Sequence, residues 1–347
     1  MKKLLLPGVV VSVVVCCMLG CDESSPESEP PAPYAIYNGD PRPACTSTAR
    51  NGRTDLVAPA TVDTLHWSAP QKVSAPISND CPTDDAEISA DGQTLYFYWS
   101  PDLDLTPLQL LQGTTGVYVA HRTGGPGDFS YPTFLDLRRG TEAGASDGHP
   151  RLTVAGDTVY FHSARAENVG NQQQPPVNDI LDVYVAAITA GLPGPAKNLG
   201  NAINSIYMDG EPGISPDGRT LYFTSDRPGG LGKGDIYYST LSGATWSAPV
   251  NIGAPINSAD ADVQAEFAAD DPSTMYFVSD RNSLGMAIYR SHHNGVSWEA
   301  PVLVMQGQVG SPSLTADGGI MYFVHILTDN TPGDPVFGAD IYYVTRK

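Results

Sequence analysis

Positive charge is scarce in this chain: 19 Lys and Arg stand against 38 Asp and Glu, a formal net charge of −19. A surface of that sign repels phosphate backbones and anionic headgroups, which excludes nucleic acid and leaves cations, neutral sugars or basic protein patches as partners. Cysteine is scarce too, with five in 347 residues, three of them (Cys16, Cys17, Cys21) near the amino terminus. The one long apolar run, Leu4 to Leu19, is short for a membrane span, and no stop-transfer charge cluster follows it. Familiar catalytic signatures are also missing: there is no Gly-x-Ser-x-Gly elbow and no His-Glu-x-x-His. Gly229-Gly230-Leu231-Gly232 is followed by no helical pattern, so it reads as a turn rather than a phosphate cradle.

Met1-Lys2-Lys3 followed by the apolar run reads as a signal peptide over residues 1–20. Met18-Leu19-Gly20-Cys21 resembles a bacterial lipobox, which implies that Cys21 becomes the lipidated first residue. Removal of Lys2 and Lys3 then takes the net charge from −19 to −21. Asp22 to Pro33, DESSPESEPPAP, has nothing to bury, and residues 21–60 are expected to form an extended tether ahead of a domain over 61–347. The two remaining thiols, Cys45 and Cys81, invite one disulfide in an oxidising compartment, closing a loop of about 36 residues and contributing about 3–4 kcal/mol. Two free buried thiols are the alternative.

What is abundant is repetition. Five apolar-Tyr-Phe triplets recur: Leu95-Tyr96-Phe97, Val159-Tyr160-Phe161, Leu221-Tyr222-Phe223, Met275-Tyr276-Phe277 and Met321-Tyr322-Phe323. A short alternating segment and a turn precede each, as in Ile214-Ser215-Pro216-Asp217-Gly218. A second set follows: Val117-Tyr118-Val119, Val183-Tyr184-Val185, Ile236-Tyr237-Tyr238, Ile288-Tyr289-Arg290 and Ile341-Tyr342-Tyr343. β-Branched and aromatic residues at period two mark strands. A fourth segment is clearest at Trp246-Ser247-Ala248-Pro249 and Trp298-Glu299-Ala300-Pro301.

Four strands per unit make an antiparallel propeller blade. The last unit stops after its third strand, while Trp67 to Asn79 matches Trp246 to Ser258 at seven of thirteen positions. The expectation is an all-β, five-bladed β-propeller of four-stranded antiparallel blades, closed by the N-terminal strand joining the last blade. Ser215 to Ser239, SPDGRTLYFTSDRPGGLGKGDIYYS, resembles the WD40-like repeat of TolB-type β-propellers, and the resemblance covers residues from about 65 to 347.

Aligning the inner strands on their apolar residue (Ile88, Leu152, Ile214, Phe267, Leu314) puts Asp85, His149, Glu211, Gln264 and Ser311 at one equivalent position. Two residues earlier stand Asp147, Asp209 and Asp262; two residues later stand Glu87, Arg151, Gly213, Glu266 and Ser313. Period two places all three positions on one side of the strand, facing the central channel as polar tiers. These side chains either satisfy one another and solvent or bind a small polar ligand, Ca2+ or another cation. Some five-bladed propellers are glycosidases, and that comparison makes Asp85, Glu211 and Glu266 the candidate carboxylates of a catalytic pair. Ser225-Asp226-Arg227 and Ser279-Asp280-Arg281 read as a repeated structural turn, with Asp accepting backbone N–H bonds and Arg pairing locally.

The long insertions Pro101 to Gly116, Ala166 to Leu181 and Leu327 to Ala339 all join second to third strands, on the face where the inner strands begin. The functional expectation is a monomeric, lipid-anchored lipoprotein of the bacterial envelope, periplasmic or surface-exposed, that binds an envelope protein or a glycan on that face. The alternatives are a glycoside-active enzyme and a structural lipoprotein with a central cation.

Overall fold

The structure, a computed structural model, describes Arg42 and residues 53–79, 81–100, 116–137, 146–165, 167–172, 181–282, 285–331 and 336–347. The signal peptide, Cys21, Cys45 with its expected bridge to Cys81, and most of the three long insertions lie outside the described residues.

Five antiparallel sheets follow one another along the chain. Blade 1 consists of Thr83–Ile88, Thr94–Trp99, Gly116–His121 and Thr133–Phe134. Blade 2 has Ser146–Leu152, Thr158–Ala164 and Asp182–Thr189, with two outer pieces, Leu192–Pro193 and Lys197–Asn198. Blade 3 repeats that plan with Asp209–Ile214, Thr220–Ser225, Asp235–Ser242, Thr245–Trp246 and Val250–Asn251. Its outer strand is split around Pro249, which has no amide to offer the ladder, so pairing resumes at Val250. Blade 4 is built from Asp262–Ala268, Asp271–Ser279, Ala287–His292 and Val302–Gln306. Blade 5 has Val309–Leu314, Ile320–Thr328 and Val336–Thr345.

The two triplet types explain each other. In every blade the Phe of the second strand lies opposite the Tyr of the third, and the rings stack across the pair. The centroid distances are 6.2 Å for Phe97–Tyr118, 5.8 Å for Phe161–Tyr184, 6.1 Å for Phe223–Tyr237, 6.0 Å for Phe277–Tyr289 and 6.0 Å for Phe323–Tyr342. All five Phe rings are fully buried and fill the space between neighbouring blades.

The fourth strand of blade 5 comes from the other end of the chain. Gln71–Lys72 lies antiparallel to Val336–Thr345, with Gln71 opposite Tyr343 and Lys72 opposite Tyr342, and Trp67 bridges to Arg346. The folded part also reaches further back than residue 61. Ala60–Thr61 pairs with Met305 and Gln306 on the outer edge of blade 4. Ahead of it, the Leu56 amide donates to the Thr328 carbonyl, Arg53 pairs with Asp329 at 2.6 Å, and Asp55 meets His325 at 2.8 Å. Residues 53–72 are therefore a strap across the last two blades, and the expected tether does not include them; ahead of them, Arg42 is buried and its guanidinium donates to the Pro76 and Ile77 carbonyls.

Trp67 anchors this strap, 1% exposed and edge-on to Tyr276 at 6.3 Å. Trp67→Ala is expected to lower unfolding free energy by about 3–5 kcal/mol in urea titration, whereas Leu65→Ala, at a site 84% exposed, should change it by less than about 0.5 kcal/mol. Equal effects at the two positions would mean that the strap contributes nothing to the ring.

Candidate functional site

The inner strands carry the same irregularity five times. In each blade two residues of the inner strand face one residue of the second, as between Asp84 and Glu87 or between Gly210 and Gly213. The first residue of every bulge sits in the left-handed region: Asp85 at φ 53°, His149 at 49°, Glu211 at 47°, Gln264 at 58° and Ser311 at 48°. None is glycine, so each costs about 1–2 kcal/mol of backbone strain that its surroundings must offset.

The offset is a chain of bonds from blade to blade. The His149 amide donates to Asp85 Oδ2 at 2.8 Å, the Glu211 amide to His162 Nδ1 at 3.3 Å, the Gln264 amide to Thr224 Oγ1 at 3.4 Å, and the Ser311 amide to Gln264 Oε1 at 2.7 Å. Each of these bulge amides is thus satisfied by a side chain of the preceding blade. Side chains complete the tier: His149 Nδ1 lies 2.9 Å from Asp85 Oδ1, and Gln264 Nε2 donates to Glu211 Oε1 at 2.9 Å. Sequence reasoning missed His162 and Thr224. Both follow an apolar-Tyr-Phe triplet, where blades 4 and 5 carry Val278 and Val324, and that contrast was the available signal.

A second tier lies nearer the Asp-Gly turns. Arg151 Nη1 donates to Glu87 Oε2 at 3.0 Å and to the Ala86 carbonyl at 2.9 Å, and its Nη2 donates to the Pro312 carbonyl at 3.1 Å. Glu87 Oε1 accepts from the Leu152 amide, Ser313 Oγ donates to Glu87 Oε2, and Glu266 Oε1 accepts from the Leu314 amide. Gly213 is the blade 3 member of this tier, and a Cβ there would fall 2.2 Å from the Ala265 carbonyl oxygen.

The third expected tier does not face the axis. A bulge breaks the two-residue alternation, so Asp147, Asp209 and Asp262 turn back into their own blades. Asp147 accepts from Ser163 and Arg165, Asp209 from Ser205 and Arg227, and Asp262 from Ser258 and Arg281. Each of those guanidinium groups lies over the stacked Phe and Tyr of its blade, as Arg281 does at 5.0 Å from Phe277 and 5.2 Å from Tyr289. Asp226 and Asp280 accept the amides of Met208 and Ala261, as the turn reading expected.

Burial sets the electrostatics of the axis. It pushes Glu211 up to about 7 against the opposing hydrogen bonds from Thr224 and Gln264. Burial, and then the neighbouring Arg151 charge, push His149 down to about 4, and burial also lowers His162. Glu87 and Glu266 are both raised by burial; the negative charge of Glu87 adds to the effect on Glu266, and Arg151 opposes both. Among the described residues, no three His, Cys, Asp or Glu side chains converge as metal ligands.

Fold and axis together define a five-bladed β-propeller whose centre is filled by its own side chains. No protein-family model and no curated protein matches the chain. Its structure is similar to the catalytic domain of a GH62 α-L-arabinofuranosidase from Coprinopsis cinerea, with TM-score 0.54 and 10% identity, covering 82% of this chain and 97% of that one. A glycoside hydrolase gives TM-score 0.52 at 11% identity, covering 83% and 92%. TolB-like propellers are also among the structural neighbours: TolB from Acinetobacter baumannii gives TM-score 0.42 at 15% identity over 74% of this chain, which spans 53% of that protein. At these identities the likeness is one of fold.

Two measurements probe the axis. A folded-state value of about 7 for Glu211 makes its contribution full below pH 4.5 and lost as pH rises towards 7, whereas that of His149 is full above pH 6.5 and lost as pH falls towards 4. Between pH 4.5 and 6.5 the two oppose each other. Glu211→Gln is therefore expected to gain stability relative to the native protein as pH rises from 5 to 7.5, by up to about 3 kcal/mol, in thermal melts across that range. A pH-independent difference would refute the assignment. Gly213→Ala should cost about 1–3 kcal/mol, because the Ala265 carbonyl leaves no room for a methyl group; an unchanged urea midpoint would contradict the close approach of blades 3 and 4.

Proposed function

We propose that this protein is an envelope-tethered interaction module that binds a protein or a glycan without cleaving it. The observation that carries the reading is the fate of the axial carboxylates. Glycoside hydrolysis needs two carboxyl groups flanking a cleft that admits a sugar. Here Asp85 is bonded to His149 and Ser311, Glu211 to Gln264, and Glu266 to the Leu314 amide, all of them buried and joining one blade to the next. Such groups hold the ring together, and removing them costs stability before it costs chemistry.

A rigid ring with binding loops suits this role. The inner-strand ends are clamped by the Asp–Arg pairs, and the connections beside them expose Ile206, Tyr207 and Leu231. These side chains belong to the same face as the long second-to-third-strand insertions. Lipidation at Cys21 would place the propeller in the bacterial envelope, periplasmic or surface-exposed, and no helix among the described residues is long and apolar enough to cross a membrane.

The test is crosslinking and affinity capture of the anchored protein from its own envelope, together with a screen of the purified protein against chromogenic glycosides and polysaccharides. A specific captured partner and no turnover are expected. Hydrolysis abolished by Glu211→Gln in a variant that still folds would replace the binding reading with the enzymatic one.

A further inference from the structure

Three of the five blades hold a guanidinium in the same place. Arg165, Arg227 and Arg281 each stand four residues after the Phe of their second strand. Each donates to the carbonyl of a buried aliphatic residue in the connection that leads into its own inner strand: Leu137 at 3.2 Å, Ile203 at 2.8 Å, and Ile256. Arg281 also donates to the adjoining Pro255 carbonyl at 3.2 Å. Main-chain oxygens thus hold the edge of the planar group, and the Phe and Tyr of the blade cover its face.

The repeat does not supply this group everywhere. Blades 1 and 5 carry Pro101 and Leu327 at the equivalent position. The connection into blade 1 nevertheless repeats Ala254-Pro255-Ile256 as Ala75-Pro76-Ile77. Its carbonyls are met by Arg42, from outside the repeat: Nη1 donates to Ile77 at 3.1 Å and Nη2 to Pro76. The guanidinium carbon lies 5.8 Å from the centre of the Trp99 ring, and the residue is only 7% exposed. Trp99 is itself fully buried, edge-on at 5.6 Å to Tyr118, the ring that stacks on Phe97. Arginine is seldom buried to this extent unless its surroundings are built to receive it.

We propose that the junction of blades 5 and 1 is a guanidinium-binding site, left unfilled by the repeat and occupied by Arg42 of the same chain. Two nitrogens of one rigid fork reach two successive carbonyls, while the weakly hydrated face of the group lies over an indole. A lysine ammonium is a compact, strongly hydrated charge with no flat face to set against Trp99. An anion would meet carbonyl oxygens of its own sign. Arg42 thereby fixes the amino-terminal arm to the face where the inner strands begin, whichever partner that face binds.

The test is Arg42→Ala in the full-length protein in detergent, melted with and without methylguanidinium chloride. Truncation deprives two carbonyls of a charged donor and is expected to lower the melting temperature by about 4–8 °C. Methylguanidinium at about 20 mM should return about 2–3 °C to the variant and nothing to the native protein, whose site is filled. Methylammonium chloride at the same concentration should return nothing to either. Arg42→Lys should melt with Arg42→Ala rather than with the native protein. Native stability in Arg42→Lys, equal rescue by methylammonium, or no selective rescue of Arg42→Ala would each overturn the site. If Arg42→Ala does not fold, Arg42→Lys carries the reading by nitrogen-15 NMR. One slowly exchanging guanidinium signal should be lost relative to the native protein, and an unchanged set of such signals would overturn the site equally.

Discussion

The ring depends on one repeated constraint: a left-handed bulge residue whose amide, in blades 2 to 5, is handed to the blade before it, while that of Asp85 in blade 1 donates to Asp84 Oδ1 in its own strand. Without the bulge, the inner strand would keep a two-residue alternation and the axial amides would pair within their own sheet. With it, the backbone turns a donor sideways, and at four of the five junctions the neighbouring blade presents the acceptor at that height. Asp85, His162, Thr224 and Gln264 are four different answers to one geometric demand. Their variety explains why the axis reads as a scatter of polar residues rather than as a motif. It also explains why an acid such as Glu211 is tolerated in a place that raises its pKa to about 7.

Much of the fold was legible because its determinants are local. The Phe-Tyr stack recurs at a fixed position in each blade, and strand alternation together with turn chemistry marks the inner three strands of every unit. The match between Trp67 and Trp246 identified the segment that supplies the outer strand of blade 5. The site was less legible for a specific reason. Period two holds only for an unbroken strand, and nothing in Asp-Gly-Glu-Pro-Gly-Ile announces that Glu211 has positive φ. Asp147, Asp209 and Asp262 were therefore set on the axis, although each is held by an Arg eighteen or nineteen residues later in its own blade. The turn reading of Ser225-Asp226-Arg227 had already contained the correct partner. The strap was illegible for the opposite reason: residues 53–61 carry no copy of the repeat, and their placement follows from edges that exist only once the ring is built.

The two faces of the ring divide its chemistry. Towards the inner-strand starts, ion pairs lie over aromatic stacks and fix the connections. Towards the Asp-Gly turns, apolar side chains surround a floor of two carboxylates and one guanidinium. The fold is similar to that of a glycoside hydrolase and of an α-L-arabinofuranosidase, and in this chain the carboxylates of Asp85, Glu211 and Glu266 join one blade to the next.

The strap has a mechanical consequence. Tension applied from the amino-terminal side meets the bonds of Arg42 to the Pro76 and Ile77 carbonyls, then the Arg53–Asp329 and Asp55–His325 contacts, then the short ladder at Ala60–Thr61, and only afterwards the strand that completes blade 5. The contacts lie in series, so the outer ones must yield before load arrives at the seam of the ring. The chain thereby carries its own strain relief, in the way a cable is clamped to its housing ahead of the soldered joint.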